Sequence, residues 1–290
     1  MMKIGIFGNE YQAEKQDLLS RLFNKLSLLN AETYVDERFY KYLTETINFK
    51  PEIKGVISGN TFDLDVALSI GGDGTFLYAA ERVNKQNIPI LGINSGRLGF
   101  LADTAFVDIE KTLDDLFNND FVVEERALLK LTTDVGVEGY NYALNEISVL
   151  KRDTSSMITI HTQLNGEYLT SYLADGLVIA TPTGSTAYSM SVNGPIIVPE
   201  CNNIVLSPVA PHSLNVRPLV VPDSCIIKLT VESRSNSFLV ALDGRWEDFG
   251  SGVELTITKA NYTTKVLKYN HKTFYQTLRE KLMWGADARK

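Results

Sequence analysis

Two cysteines and three histidines in 290 residues leave little from which to build a metal centre or a disulfide framework. Cys201 and Cys225 read as ordinary buried thiols in a reducing cytoplasm rather than a bridge. His161, His212 and His271 lie far apart and show no metal-ligand spacing, so no protein-held metal is expected. No apolar run approaches the roughly 18 residues that would span a bilayer. The opening MMKIGIFGNEY lacks the long apolar stretch of a secretory signal and reads as a first strand. Positive charge is scarce as well: 28 Lys and Arg stand against 35 Asp and Glu, a net charge of −7. That sign argues against a nucleic-acid or membrane-surface partner. The scarcity is sharpest between Asp153 and Val216, where neither Lys nor Arg occurs.

What is present fits a globular chain. Apolar residues make up 44% and charged residues 22%, enough for one large domain or two ordinary ones. The first 120 or so residues alternate strand and helix signals. Lys3–Phe7, Val66–Ile70 and Ile88–Ile93 are short apolar runs; residues 12–30, 76–84 and 107–118 carry helical periodicity. Such alternation predicts a parallel sheet covered by helices on both faces. After Phe121 the texture changes to short strand-like runs, at 127–133, 141–151, 158–164, 176–180, 226–231, 238–242 and 253–257. Turn signals such as Asn165-Gly166 and Asp243-Gly244 separate them, which predicts an all-β sandwich or barrel. Phe274–Trp284 is helical again and is placed back on the first domain. The expected boundaries are 1–121, 122–270 and 271–290.

Three stretches carry chemistry. Gly71-Gly72-Asp73-Gly74-Thr75 ends an apolar run and opens a helix. Open α/β sheets bind ligands at such strand ends, and a helix start offers N–H groups to phosphate. Glycines there allow positive φ or close approach of a ligand. The plainer reading makes Asp73 a helix N-cap or turn residue. The stretch is neither a Walker A loop nor a GxGxxG fingerprint, so a dehydrogenase is unsupported. The second stretch, Asp175 to Ser191, is dense in hydroxyls and glycines and lies within the window free of Lys and Arg. A ligand there must meet hydroxyls, backbone N–H groups, a ring and a few carboxylates, which suits a nucleoside; a Ser/Thr-rich turn is the alternative. The third is Asn145-Glu146 inside an apolar strand-like run, where alternation turns at least one polar group inward or toward a cleft.

Together these stretches resemble the NAD kinase family, bacterial type. The matching motifs are GGDGTFL (71–77), GINSGRLGFLAD (92–103), LNE (144–146), DGLVIATPTGSTAYSMS (175–191), PHSLNVRPLVVP (211–222) and DGR (243–245), in the family's order along most of the chain. The resemblance implies an α/β nucleotide-binding domain followed by a β-sandwich. It implies ATP and NAD as substrates, with the γ-phosphoryl passing to the 2′-hydroxyl of the adenosine ribose. A divalent cation, Mg²⁺, carried with ATP, and a homodimer or homotetramer follow from it too. By motif match Asp73 is the base facing the 2′-hydroxyl, with Gly74 beside it; Gly71, Gly72, Gly74 and Thr75 form the phosphate loop. Asn145 and Glu146 contact the adenine and ribose of NAD. Asp175, Thr186, Ala187, Tyr188, Ser189, Met190, Ser191 and Ala210 line the rest of its pocket, Tyr188 against a base. Three positions depart from the family pattern: Tyr78 and Leu173 stand where many members carry a basic residue, and Arg245 where many carry Gln. Arg245 either restores a positive charge toward NAD or is a surface residue beside a turn. The rival readings are a lipid kinase sharing the GGDGT loop, or a silent NAD-binding sensor.

Overall fold

Val66–Gly71 is buried at every position, the mark of a strand covered on both faces, which is why it reads as an unbroken apolar run. The computed structural model describes residues 1–10, 15–152 and 156–286. Contacts divide the chain into two units, Met1–Glu125 with Thr264–Lys290, and Arg126–Thr263.

In the first unit the order is β1 (Lys3–Gly8), α1 (Gln16–Leu28), β2 (Glu32–Asp36), α2 (Glu37–Lys41), β3 (Gly55–Ile57), β4 (Val66–Gly71), α3 (Asp73–Val83), β5 (Ile90–Asn94), β6 (Thr104–Ala105) and α4 (Ile109–Phe117). The strands pair in parallel as β3-β2-β1-β4-β5. The order reverses at β1 and β4, and the carboxyl ends flanking that reversal are where open sheets of this kind bind ligands. Helix α1 buries Leu19, Leu22, Phe23 and Leu26, one face at helical spacing. Of the helical pattern expected over 12–30, residues 12–14 lie outside the described residues. Strands β2 and β3 were not legible: β2 reads Glu-Thr-Tyr-Val-Asp, and β3 has three residues.

The second unit holds the rest of β7 (Phe121–Thr133), then β8 (Tyr142–Ala143), β9 (Glu146–Lys151), β10 (Ile158–Leu164), β11 (Glu167–Ala174), β12 (Gly176–Ala180), α5 (Tyr188–Ser191), β13 (Asn203–Val209), β14 (Leu219–Pro222), β15 (Ile227–Glu232), β16 (Ser237–Leu242), β17 (Arg245–Gly250) and the start of β18 (Glu254–Tyr269). One antiparallel sheet runs β14-β13-β12-β9-β16-β17. The other runs β11-β10-β15-β18, with β7 and β8 beyond β18. Their inward residues, among them Ile147, Val149, Leu177 and Val240 from the first and Ile160, Leu229, Val231 and Ile257 from the second, share one core. This is the sandwich that the alternating runs predict.

Three expectations change. The run over 141–151 breaks at Leu144–Asn145 instead of continuing as one strand. The return to the first unit begins within β18, whose Val266 and Leu267 pair in parallel with Ile90 and Leu91 of β5; α6 (Phe274–Leu282) follows. Cys201 is exposed in the segment before β13; only Cys225 is buried.

Candidate active site

Strand β4 delivers Gly71 to the switch point, and α3 begins two residues later. The N-cap of α3 is Gly72, with no side-chain cap, so Asp73 is the first helical residue and not a cap. Its carboxylate turns to the 97–103 loop. The N–H of Phe100 donates to Oδ2 at 3.0 Å, and those of Leu101 and Ala102 donate to Oδ1 at 3.0 and 2.9 Å. Lys281 of α6 adds Nζ to Oδ2 at 3.3 Å. The same loop is gripped from behind by Lys268 of β18, whose buried Nζ donates to Phe100 O (3.1 Å), Leu101 O (3.4 Å) and Asp103 Oδ2 (2.8 Å). A carboxylate thus holds the loop's amides and an ammonium its carbonyls.

None of Gly71, Gly72, Gly74 and Gly99 has a positive φ, and close packing accounts for two of them. A Cβ at Gly99 would fall on Asp73 Oδ1, and one at Gly71 on the buried Thr75 hydroxyl. Gly72 and Gly74 face open space. Asp73 borders a cavity of about 620 Å³, walled also by Arg97, Leu98, Gly99, Glu280 and Lys281. That volume lies in the range of small-molecule sites. Tyr78 is engaged elsewhere. Its hydroxyl lies 3.2 Å from both oxygens of Asp36, the buried N-cap of α2. Burial pushes the Asp36 carboxyl upward, opposed by Arg82, whose Nε lies 3.5 Å away. The cation of this cluster therefore comes from residue 82 rather than 78.

In the second unit Asp243 repeats the Asp73 device. It accepts the N–H of Leu144 (2.6 Å), Asn145 (2.9 Å) and Glu146 (3.0 Å), which is what interrupts the strand there. Asn145 is buried, and its carbonyl lies so close to Gly184 that a Cβ on that glycine would strike it. Glu146 is half-buried, with Oε2 buried and unpartnered among the described residues. Burial first, then the Asp243 charge, pushes its carboxyl up to about 7, while the Tyr188 N–H pulls the other way. A poised acid with a spare oxygen is a binding group in waiting.

Many hydroxyls of the 181–191 turn are spent on the turn itself. Thr181 Oγ1 donates to Leu144 O, Ser185 Oγ bridges Pro182 O and Ile197, and Thr186 Oγ1 bonds Thr183 O. Ser189 is fully buried against Ser207. The surface left to a ligand is Thr186, Ala187, Tyr188 and Met190, all half-buried, and the exposed Ser191. Arg245 is engaged too: Nη2 donates to Tyr142 O at 2.7 Å and the guanidinium covers the Tyr140 ring at 5.0 Å.

Two expected residues stand apart. Asp175 precedes β12 and Ala210 follows β13, whose Val209 pairs with Gly176, whereas Glu146 pairs with Ala180 at the far end of β12. Asp175 lies five steps along the chain from Ala180, which at about 3.3 Å each sets it roughly 16 Å from the level of Glu146. Asp175 is ion-paired with Lys151 at 2.7 Å, and exposed Ala210 holds a φ of 43°, a left-handed conformation rare for a residue with a Cβ. Near them a cavity of about 550 Å³ is walled by Lys151, Leu173, Glu232 and Arg234 among others, so its cations come from 151 and 234 rather than 173. The sequence reading missed Asp243 despite the visible DGR motif. It missed Lys268 and Lys281 as well, whose partners are remote in the chain, and Arg97 of the cavity wall, although the GINSGRLGFLAD motif contains it. Among the described residues no three His, Cys, Asp or Glu side chains converge as a cation site would need, and no helix is long and apolar enough to cross a membrane.

Family models match the chain along most of its length: the ATP-NAD kinase N-terminal domain over residues 4–121 and the ATP-NAD kinase C-terminal domain over 144–269. The NAD kinase of Bacteroides fragilis (strain YCH46) is 52% identical over 99% of this chain and 100% of its own length. The chain belongs to the NAD kinase family. The NAD kinase of Porphyromonas gingivalis (strain W83) is 45% identical over 100% of both chains. An NAD kinase from Archaeoglobus fulgidus, solved with ATP, superposes with a TM-score of 0.76 at 25% identity, over 97% of this chain and 99% of that one. Yeast NADH kinase, solved with NADH, shares the fold with a TM-score of 0.87 at 24% identity, over 99% and 89%. These relatives are NAD or NADH kinases, and the lipid-kinase and sensor alternatives draw no support from them.

Proposed function

We infer that this protein is an ATP-dependent NAD kinase, moving the γ-phosphoryl of ATP to the 2′-hydroxyl of the adenosine ribose of NAD. The observation that carries the reading is the 52% identity to an NAD kinase along 99% of the chain. The chemistry fits the residues. Phosphoryl transfer asks a protein for positioning and charge stabilisation more than for covalent participation. The bond from O2′ to Pγ forms as the bond from Pγ to the β–γ bridging oxygen breaks, and ADP leaves with the electron pair. The hydroxyl proton passes to Asp73. Gly71, Gly72, Gly74 and Thr75 let the phosphates approach the start of α3. Asn145 and Glu146 take the adenosine hydroxyls and base edge, and Tyr188, with Thr186, Ala187, Met190 and Ser191, takes a ring face. Ser189 supports this turn from beneath, and Arg245 supports Tyr142. The donor is ATP with its divalent cation, Mg²⁺, riding on the phosphates as part of the substrate.

Asp175 and Ala210, at the opposite end of β12 from Glu146, would serve the NAD of a neighbouring copy, so the active form is a homo-oligomer. Purified protein given ATP, Mg²⁺ and NAD is expected to form NADP, read with an NADP-specific dehydrogenase. No NADP above a blank, from folded protein across several divalent metals, overturns the assignment.

A further inference from the structure

Asp73 is saturated. A carboxylate offers about four lone-pair sites, and here four donors fill them: three backbone amides and Lys281. A base in that state has no place for a hydroxyl proton, so one donor must leave before transfer. The three amides belong to a loop that Lys268 locks by its carbonyls, and they sit at 2.9–3.0 Å. Lys281 is the longest contact, at 3.3 Å, and comes from a side chain 30% exposed. It is the donor free to go.

Resting on the NAD kinase reading above, we propose that Lys281 is a further catalytic residue, a cation that guards Asp73 in the empty enzyme and transfers to the donor's terminal phosphoryl group. Its destination is on hand. Lys281 and Arg97 are the two cations in the wall of the 620 Å³ cavity beside Asp73. The other acid of that wall, Glu280, takes an N–H from Gln276 at 2.8 Å. The Lys281 ammonium lies 4.8 Å from the centre of the Phe100 ring, which steadies the side chain while Nζ changes partners. A polyphosphate carries several charges against the single one of a carboxylate already served by three amides, so it outbids Asp73 for the ammonium. When Nζ moves, Asp73 Oδ2 regains a free lone pair and accepts the 2′-hydroxyl as a hydrogen-bond donor. As the O2′–Pγ bond forms and the bridging bond breaks, the proton goes to Oδ2, and Lys281 and Arg97 face the charge gathering on the phosphoryl oxygens. One side chain thereby makes the base available only when the donor is present.

The test uses inorganic tripolyphosphate, which reports the phosphate contact without turnover. By calorimetry the wild-type protein, without NAD, should bind tripolyphosphate; Lys281→Met should bind it at least about tenfold more weakly and Lys281→Arg within a few-fold of wild type. NAD affinity should not fall in any of the three. With ATP and NAD, Lys281→Met should raise the KM for ATP and lower kcat at least about tenfold while leaving the KM for NAD in place, and Lys281→Arg should restore most of the rate. If Lys281→Met melts early, Lys281→Gln is compared with Lys281→Arg instead. Unchanged tripolyphosphate binding and unchanged ATP kinetics in a folded variant overturn the proposal. So does failure of the wild-type protein to bind tripolyphosphate. Absence of NADP formation alongside intact, Lys281-dependent tripolyphosphate binding overturns the kinase reading and leaves the phosphate contact standing.

Discussion

At the scale of single residues two carboxylates matter most, and neither behaves as an isolated side chain. Asp73→Asn cannot take a proton and should cost turnover about a hundredfold or more, since a positioned base is worth about 10²–10⁴. Because Asp73 is not a cap, the substitution is not structurally silent. The amide oxygen can still serve Leu101 and Ala102, but the new NH₂ meets the Phe100 N–H donor to donor, at a cost of about 1–3 kcal/mol. Initial rates beside thermal melts separate the two effects; near-normal turnover removes Asp73 as the base. Glu146 makes a pH prediction. Its folded value near 7 exceeds the ordinary value of 4.5. The proton is therefore held more tightly in the folded state. That contribution is whole below about pH 4, fades as the pH rises, and is gone above 7. The total is about 3 kcal/mol at 1.36 kcal/mol per unit. Glu146→Gln should flatten this part of the stability–pH curve, measured by denaturant unfolding between pH 4.5 and 7.5. An unchanged slope contradicts the assignment.

At the scale of elements the 97–103 loop is held by α3 on one side and β18 on the other. Lys268 and Asp103 each expose only 6% of their side chains, so the pair is fully desolvated. Removing one partner of such a pair strands the other charge and typically costs about 3–5 kcal/mol. Lys268→Met should therefore lower the unfolding free energy by about that much, read from chemical denaturation. It should also slow turnover more than Asp103→Asn, because it alone frees the carbonyls behind the amides that aim Asp73. Equal kinetic effects would mean that Lys268 acts only through its charge partner. The pattern is economical: two aspartates, 73 and 243, each collect three consecutive amides and thereby fix a loop next to proposed ligand groups.

At the scale of the whole molecule, the split of expected NAD residues between the two ends of β12 yields the sharpest prediction. If Asp175 serves a neighbour's site, co-expressed Asp73→Asn and Asp175→Ala chains should complement. In a twofold dimer each mixed pair keeps one site with both residues intact, so random pairing restores about a quarter of wild-type activity while each parent alone stays low. Size exclusion of differently tagged chains verifies mixing. Mixed oligomers without recovered activity place Asp175 outside the neighbour's site. Charge belongs to this scale as well. With a net charge of −7 the molecule repels anionic substrates at long range, and a local pair such as Arg97 and Lys281 must overcome that field at the proposed donor cavity.

Local pattern was enough for much of this. The apolar run of β4 ending in Gly71-Gly72-Asp73-Gly74, the strand–helix alternation before residue 121, the alternating runs after it and the Asp175–Ser191 stretch all carry their meaning within a few residues, because burial period and turn chemistry are short-range properties. They specified a parallel α/β unit and a sandwich, and they singled out the strand end at residues 71–75 as a candidate nucleotide site. What they left open was every partnership across the chain. The amides on Asp73 come from 27 to 29 residues away and its lysine from 208. The amides on Asp243 come from 97 to 99 residues away. Whether Ser189 meets a ligand or Ser207, whether Arg245 meets NAD or a tyrosine ring, and which end of β12 a residue occupies depend on strand order and register. Those are decided only when distant segments pack, so the tertiary structure alone placed the expected residues at two ends of one strand and set three amides and Lys281 on Asp73.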